Sequence, residues 1–109
     1  MSDRQEPLTE SYFYILLCLY DEPRHGYAVM QRAAALSGGK VRIGSGTMYG
    51  ATGNMMRKGW IEECPGDGGF TRRREYRLTD AGRAILLDEI ERLRQLSRAA
   101  ELVMEGDAT

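Results

Sequence analysis

The chain has one histidine and two cysteines among its 109 residues. Neither type falls into a metal-ligand spacing, so no metal and no cofactor are expected. Cys18 lies inside an apolar run and reads as a small buried hydrophobe, while Cys64 ends a strand-like segment. Long apolar runs are also missing. The longest, Tyr12 to Tyr20 (YFYILLCLY), has nine residues, whereas a bilayer-spanning helix needs about 20. No basic leader precedes it, so a cytoplasmic location without membrane contact is expected. Repeats and low-complexity segments are absent, and no acid, base and nucleophile come together in sequence, which argues against an enzyme.

Net charge is small as well, at −1, but its distribution is uneven. Residues 40–77 hold eight Lys or Arg against four Asp or Glu, for +4, while residues 1–39 carry −2 and residues 78–109 carry −3. A basic middle between acidic flanks is the electrostatic footprint of a nucleic-acid surface. An ordinary solvated patch is the alternative.

The length suits one domain with a modest core. Residues 1–8 read as a tail. Thr9 can cap a first helix to about Tyr20, stopped by Asp21-Glu22-Pro23. A second helix spans about Gly26 to Leu36 and ends at Ser37-Gly38-Gly39. Lys40 to Gly44 (KVRIG) alternates charged and branched residues, so a short strand is expected there. Ser45 or Thr47 can cap a third helix ending before Gly59. Trp60–Cys64 and Arg73–Leu78 read as strands joined by PGDGGF, a turn-rich link. Thr79 caps a last helix to about Met104, leaving 105–109 as a tail. A mainly α, α+β fold results: a winged helix-turn-helix over residues 9–78, then one long helix over 79–104. The third helix is the one that would enter a major groove.

That third helix carries Gly46, Gly50 and Gly53, although each interior glycine costs about 0.5–1 kcal/mol relative to alanine. At 100° per residue these three and Arg57 fall within about 60° of one another. Met48, Thr52 and Met55 lie opposite and read as the core face. A glycine row lets another surface come close. Its neighbours Thr47, Asn54, Arg57 and Lys58 are polar or cationic, so DNA suits it better than a second helix does. Tyr49 sits at the border, either as a phosphate donor or as a half-buried packing residue.

The hairpin adds TRRREYR, in which Arg72 and Arg74 share one strand face. They suit phosphate contact, and a solubilising edge strand is the alternative. Lys40 and Arg42 add charge just before the third helix. At the start of the second helix, RHGY supplies His25 as a cap and Tyr27 as a phosphate donor beside free backbone N–H groups.

Three segments carry a resemblance: LTESYFYILLCLYDEPRHGYAVM (Leu8–Met30), GSGTMYGATGNMMRKGWIEE (Gly44–Glu63) and RREYRLTDAGRAIL (Arg73–Leu86). In this order they resemble the PadR family of bacterial winged-helix transcription regulators. The family pattern Gly-Pro-Gly-Thr-Leu-Tyr-Gly-Ala is met with Ser45 in place of proline and Met48 in place of leucine. Thr52 stands where a large aliphatic is usual. The resemblance implies a homodimer on a palindromic operator, usually as a repressor, with the last helix against the partner subunit. It also implies a small aromatic or hydrophobic effector. Tyr12, Phe13 and Tyr14 are the candidates to line such a site, although plain packing is the alternative.

The last helix supports association by itself. Leu86, Ile90, Leu93, Ser97, Ala100 and Met104 step as a heptad seam, with Leu87, Leu96 and Val103 on adjacent faces. The expected interface residues are Leu86, Ile90, Leu93, Leu96, Ala100 and Val103. Packing on its own domain is the alternative for this helix. The rival for the whole chain is a winged-helix protein-interaction module that binds no specific DNA.

Overall fold

The computed structural model describes residues 6–65 and 74–107. Its elements are α1 (Glu10–Cys18), β1 (Arg24–His25), α2 (Gly26–Leu36), α3 (Ser45–Arg57), β2 (Ile61–Pro65), β3 (Arg74–Leu78) and α4 (Asp80–Asp107). The strands form one antiparallel sheet in the order β1-β3-β2.

Cap chemistry sets three of the helix starts. The Thr9 hydroxyl accepts the Tyr12 N–H at 3.1 Å. His25 Nδ1 accepts the Ala28 N–H at 3.2 Å, and Thr79 Oγ1 accepts the Gly82 N–H at 3.1 Å. Each satisfies one of the donors that a helix start leaves open. The start of α3 differs from expectation. Gly44 is its N-cap and makes no side-chain cap bond, so neither Ser45 nor Thr47 caps it.

The sheet also departs from the sequence reading. KVRIG is not a strand. Val41 and Ile43 are buried in the core, so its alternation reflects side chains plugged inward from an irregular segment. The third strand is instead Arg24–His25, which pairs Arg24 with Tyr76 and His25 with Glu75. Helix α1 ends at Cys18, two residues short of expectation, where Arg24 Nε donates to the Cys18 carbonyl at 2.8 Å. Helix α4 runs on to Asp107, so residues 105–107 are helical. Pro65, the first residue of PGDGGF, ends β2, while the rest of that turn and Arg73 lie outside the described residues.

The core gathers Ile15, Leu16 and Leu19 of the α1 region, Val29 and Ala33 of α2, Met48, Ala51 and Met55 of α3, Ile61 of β2 and Leu86 of α4. Thr52 is buried among them, and its hydroxyl donates to the Met48 carbonyl at 2.9 Å. That back-bond within the helix satisfies a polar group the core would otherwise penalise. Cys18 is buried too, and its thiol donates to the Val29 carbonyl at 3.7 Å. Burial raises its pKa, so it behaves as a packing residue.

Two close approaches fix α4 to the rest. Thr79 N–H donates to the Trp60 carbonyl at 3.0 Å. A Cβ at Gly82 would overlap that same carbonyl, so only glycine fits there. Farther along, Glu89 is 2% exposed. It accepts the Leu8 N–H at 3.2 Å and two bonds from Arg92, at 2.9 and 2.7 Å. Arg92 holds this carboxyl below the usual carboxylate range.

Beyond Arg92, α4 leaves the domain and its residues are exposed. The Cα radius of gyration is 16.4 Å, against about 13 Å for a compact chain near this length. The 28-residue helix accounts for the difference, since it is about 42 Å long.

Candidate nucleic-acid interface

Helix α3 turns its Met48, Thr52 and Met55 face into the core, so the Gly46, Gly50, Gly53 and Arg57 side faces outward. A Cβ at Gly46 or Gly50 would meet nothing within 4 Å. At Gly53 it would meet only Arg57 Nη1, at 3.6 Å. The glycines therefore form a bare outer ridge, over whose far end the Arg57 side chain lies.

The two flanks of the ridge differ. On one side stands Tyr49, 77% exposed, above a cavity of about 540 Å³ between the start of α2, α3 and the wing. His25, Tyr27, Ser45, Tyr49, Arg74 and Tyr76 line it. Tyr27 is exposed, while His25 has its Nδ1 committed to the α2 cap. On the other side, the Asn54 amide donates to the Tyr12 hydroxyl at 2.9 Å. Lys58 sits over the Trp60 ring, 5.3 Å from its centroid. These residues line a second hollow of about 560 Å³ that reaches the segment before α1. Thr47 is exposed on this flank.

Charge on the interface is partly neutralised. Arg74 reaches Glu63 at 3.2 Å across the wing, and Arg77 reaches Glu62 at 2.7 Å. Arg42 donates from Nε to the Gly39 carbonyl at 3.2 Å, bracing the link before α3. Lys40 is exposed beside it. Arg72 lies outside the described residues. Arg74 alternates with Tyr76 and Leu78, so its side chain leaves the sheet on the core-ward side, where it lines the cavity.

An ion cluster ties the turn after α1 to the middle of α2. Asp21 accepts two bonds from Arg32, at 2.8 and 3.0 Å, and Arg24 reaches Asp21 at 3.3 Å and Glu22 at 3.2 Å. Arg32 is the main reason the Asp21 carboxyl is lowered to about 2. Sequence reasoning missed this cluster, and also Ser45 and Tyr76 at the cavity wall. Arg and Asp spaced across a helix–turn–helix link were the available signal.

The expected interface and effector residues do not all converge. Leu86 is fully buried in the core of the domain, so it is not part of the exposed stripe of α4. The heptad count places Leu86 on a partner-facing stripe, but the first turns of α4 pack against α1. Ile90 is half-buried on that core, while Leu93, Leu96 and Val103 are exposed, as is Ala100. Leu102 and Met104 are exposed beside them. Tyr12, Phe13 and Tyr14 all pack partly against the core. Tyr12 turns toward α3, whereas Phe13 and Tyr14 make an edge-to-face pair 5.8 Å apart and line neither hollow.

A capped helix pair, a third helix presented on the surface and a two-stranded wing beside it define a winged helix-turn-helix. The model of the PadR-like transcriptional regulator family matches residues 15–88. The chain belongs to that family. It is 35% identical over 83 residues to an uncharacterised 37.1 kDa protein in transposon TN4556 of Streptomyces fradiae, covering 76% of this chain. The chain spans only 23% of that protein's length. An uncharacterised protein of Lysinibacillus sphaericus is 28% identical over 95 residues, covering 84% of this chain and 85% of its own. Among solved structures, Bacillus subtilis PadR in complex with operator DNA superposes with a TM-score of 0.67 at 21% identity. That match covers 77% of this chain and 48% of the other, and it establishes the fold. Among the described residues, no helix is long and apolar enough to cross a membrane.

Proposed function

We propose that the chain is a homodimeric, sequence-specific DNA-binding regulator, acting as a repressor on a near-palindromic operator. The observation that carries this reading is the bare ridge of α3, with Gly46 and Gly50 open to solvent between polar and cationic flanks. A helix about 10–12 Å across fills a major groove about 12 Å wide, and missing side chains let it sit deeper. Tyr49 and Tyr27 on one flank, and Thr47 and Lys58 on the other, then face the phosphate walls. Lys40, Arg42 and Arg74 extend the same basic surface. The B. subtilis relative was solved on operator DNA, which supports the same use of the fold here.

In this reading, α4 pairs with its counterpart through Ile90, Leu93, Leu96, Ala100 and Val103. Two α3 helices about 34–36 Å apart would then meet successive major grooves. A small aromatic or hydrophobic effector would act through α1, which carries Tyr12, Phe13 and Tyr14, by changing the spacing of the two reading helices.

Selection of duplexes from genomic fragments by the purified protein tests the reading, followed by salt titration. An enriched palindromic site is expected, with affinity falling steeply as salt rises. The double variant Arg72→Ala/Arg74→Ala should lower the salt slope by about 1–2. Uniformly weak binding to every duplex at physiological salt, with another protein co-purifying, would instead support an interaction module.

A further inference from the structure

Four long polar side chains of α3 and its C-cap face away from the core; two are engaged by other residues, and a third, Tyr49, lies off the ridge. Asn54 is bonded to Tyr12, Lys58 lies over Trp60, and Tyr49 stands at the cavity wall. Arg57 is different. It is exposed, and among the described residues its guanidinium has no hydrogen bond or ion pair. Its Nη1 lies 3.6 Å from where a Gly53 Cβ would be. Helical side chains lean toward the N-terminus, so Arg57 runs back along the ridge and carries its charge about one turn toward the middle of α3.

Position on the helix decides what such a cation meets. Residues on the flanks of a groove-filling helix face the phosphate walls, and residues on its midline face the floor. Gly46, Gly50, Gly53 and Arg57 are that midline. Three of the four carry no side chain, so nothing else on the ridge competes for the base edges near Arg57. An unpaired guanidinium on the floor of a major groove matches the O6 and N7 acceptors of guanine with two parallel N–H donors.

We infer that Arg57 is the specificity-determining residue of the interface: it reads a guanine through a two-bond contact, with Gly53 giving its side chain room to lie flat. This rests on the proposal that the chain binds DNA through α3. It adds to that proposal a particular base and a particular reader, and gives Gly53 a role that its cost in helix stability otherwise leaves unexplained.

The test uses a duplex selected from a random-sequence pool by the wild-type protein, together with every single replacement of a G·C pair by A·T within it. Affinities are measured for wild type, Arg57→Ala and Arg57→Lys at one salt concentration. Arg57→Ala should weaken the selected duplex by about 5- to 150-fold. One G·C replacement, or its symmetric pair, should lose its effect in this variant while the others keep theirs. Arg57→Lys should retain affinity for a scrambled duplex yet fall short of wild type on the selected one. If every replacement matters equally in Arg57→Ala and in wild type, Arg57 reads no base and the inference is overturned. It is overturned equally if Arg57→Ala loses the same factor on selected and scrambled duplexes and Arg57→Lys restores it. A wild-type protein that enriches no sequence at all would instead sink the DNA-binding proposal itself.

Discussion

Asn54 of α3 donates a hydrogen bond to the hydroxyl of Tyr12 on α1, at 2.9 Å across 42 residues of sequence. The bond joins the helix proposed to read DNA to the helix that packs on α4. A few residues upstream of Tyr12, the Leu8 N–H reaches Glu89 on α4. The segment from Leu8 to Tyr12 therefore touches both ends of the molecule's proposed work.

Removing the phenolic oxygen isolates the first of these links. Tyr12→Phe keeps the packing and deletes the acceptor, leaving the Asn54 amide without its partner. A loss of about 0.5–1.5 kcal/mol is expected, read as a lower denaturation midpoint in urea. Asn54→Ala combined with Tyr12→Phe should lose little more than either alone, because the two share one bond.

Two glycines should respond in opposite directions to the same added methyl group. Gly50→Ala meets open space and should stabilise the free protein by about 0.5–1 kcal/mol, while weakening binding to a selected duplex. Gly82→Ala drives a Cβ into the Trp60 carbonyl and should destabilise by about 1–3 kcal/mol. Thermal melts of both variants check the signs.

Acid should release the tie between the turn after α1 and the middle of α2. The hydrogen bonds from Arg32 hold the Asp21 carboxyl at about 2, against an ordinary value of 3.8. A carboxylate lowered in the folded state adds stability that is complete above about pH 4 and disappears as pH falls through about 2. Asp21→Asn should therefore be less stable than wild type at pH 7, with the gap closing between about pH 4 and pH 2. Urea midpoints of the two proteins across that range measure it.

Substitutions along α4 should separate association from folding. Leu96→Glu, at an exposed position, should shift sedimentation toward the monomer without unfolding residues 9–78. Leu86→Ala, in the buried core, should cost about 2–5 kcal/mol at any protein concentration.

Local chemistry made the helices legible in the sequence. Thr9, His25 and Thr79 cap as their side chains dictate, and the methionine face of α3 follows from its spacing. Features that depend on distant partners were harder to read. KVRIG alternates as a strand does, but alternation reports which side chains are buried, and the backbone partner of β3 is Arg24–His25. The heptad through Leu86 describes one stripe of a helix and cannot say whether its own domain or another copy covers each step. Asn54 sits on the polar side of α3, but its bond to Tyr12 depends on how α1 crosses it. At the site, the glycine ridge was visible on a helical wheel, while the course of Arg57 along it required coordinates.

Strand β1 is only two residues long, yet it ties His25 and Arg24 to β3 of the wing, and His25 also starts α2. The wing root and the tip of α2 are consequently joined through β1. They should exchange their amide protons in a single opening event. A surface docked on both would then meet two sides that open together.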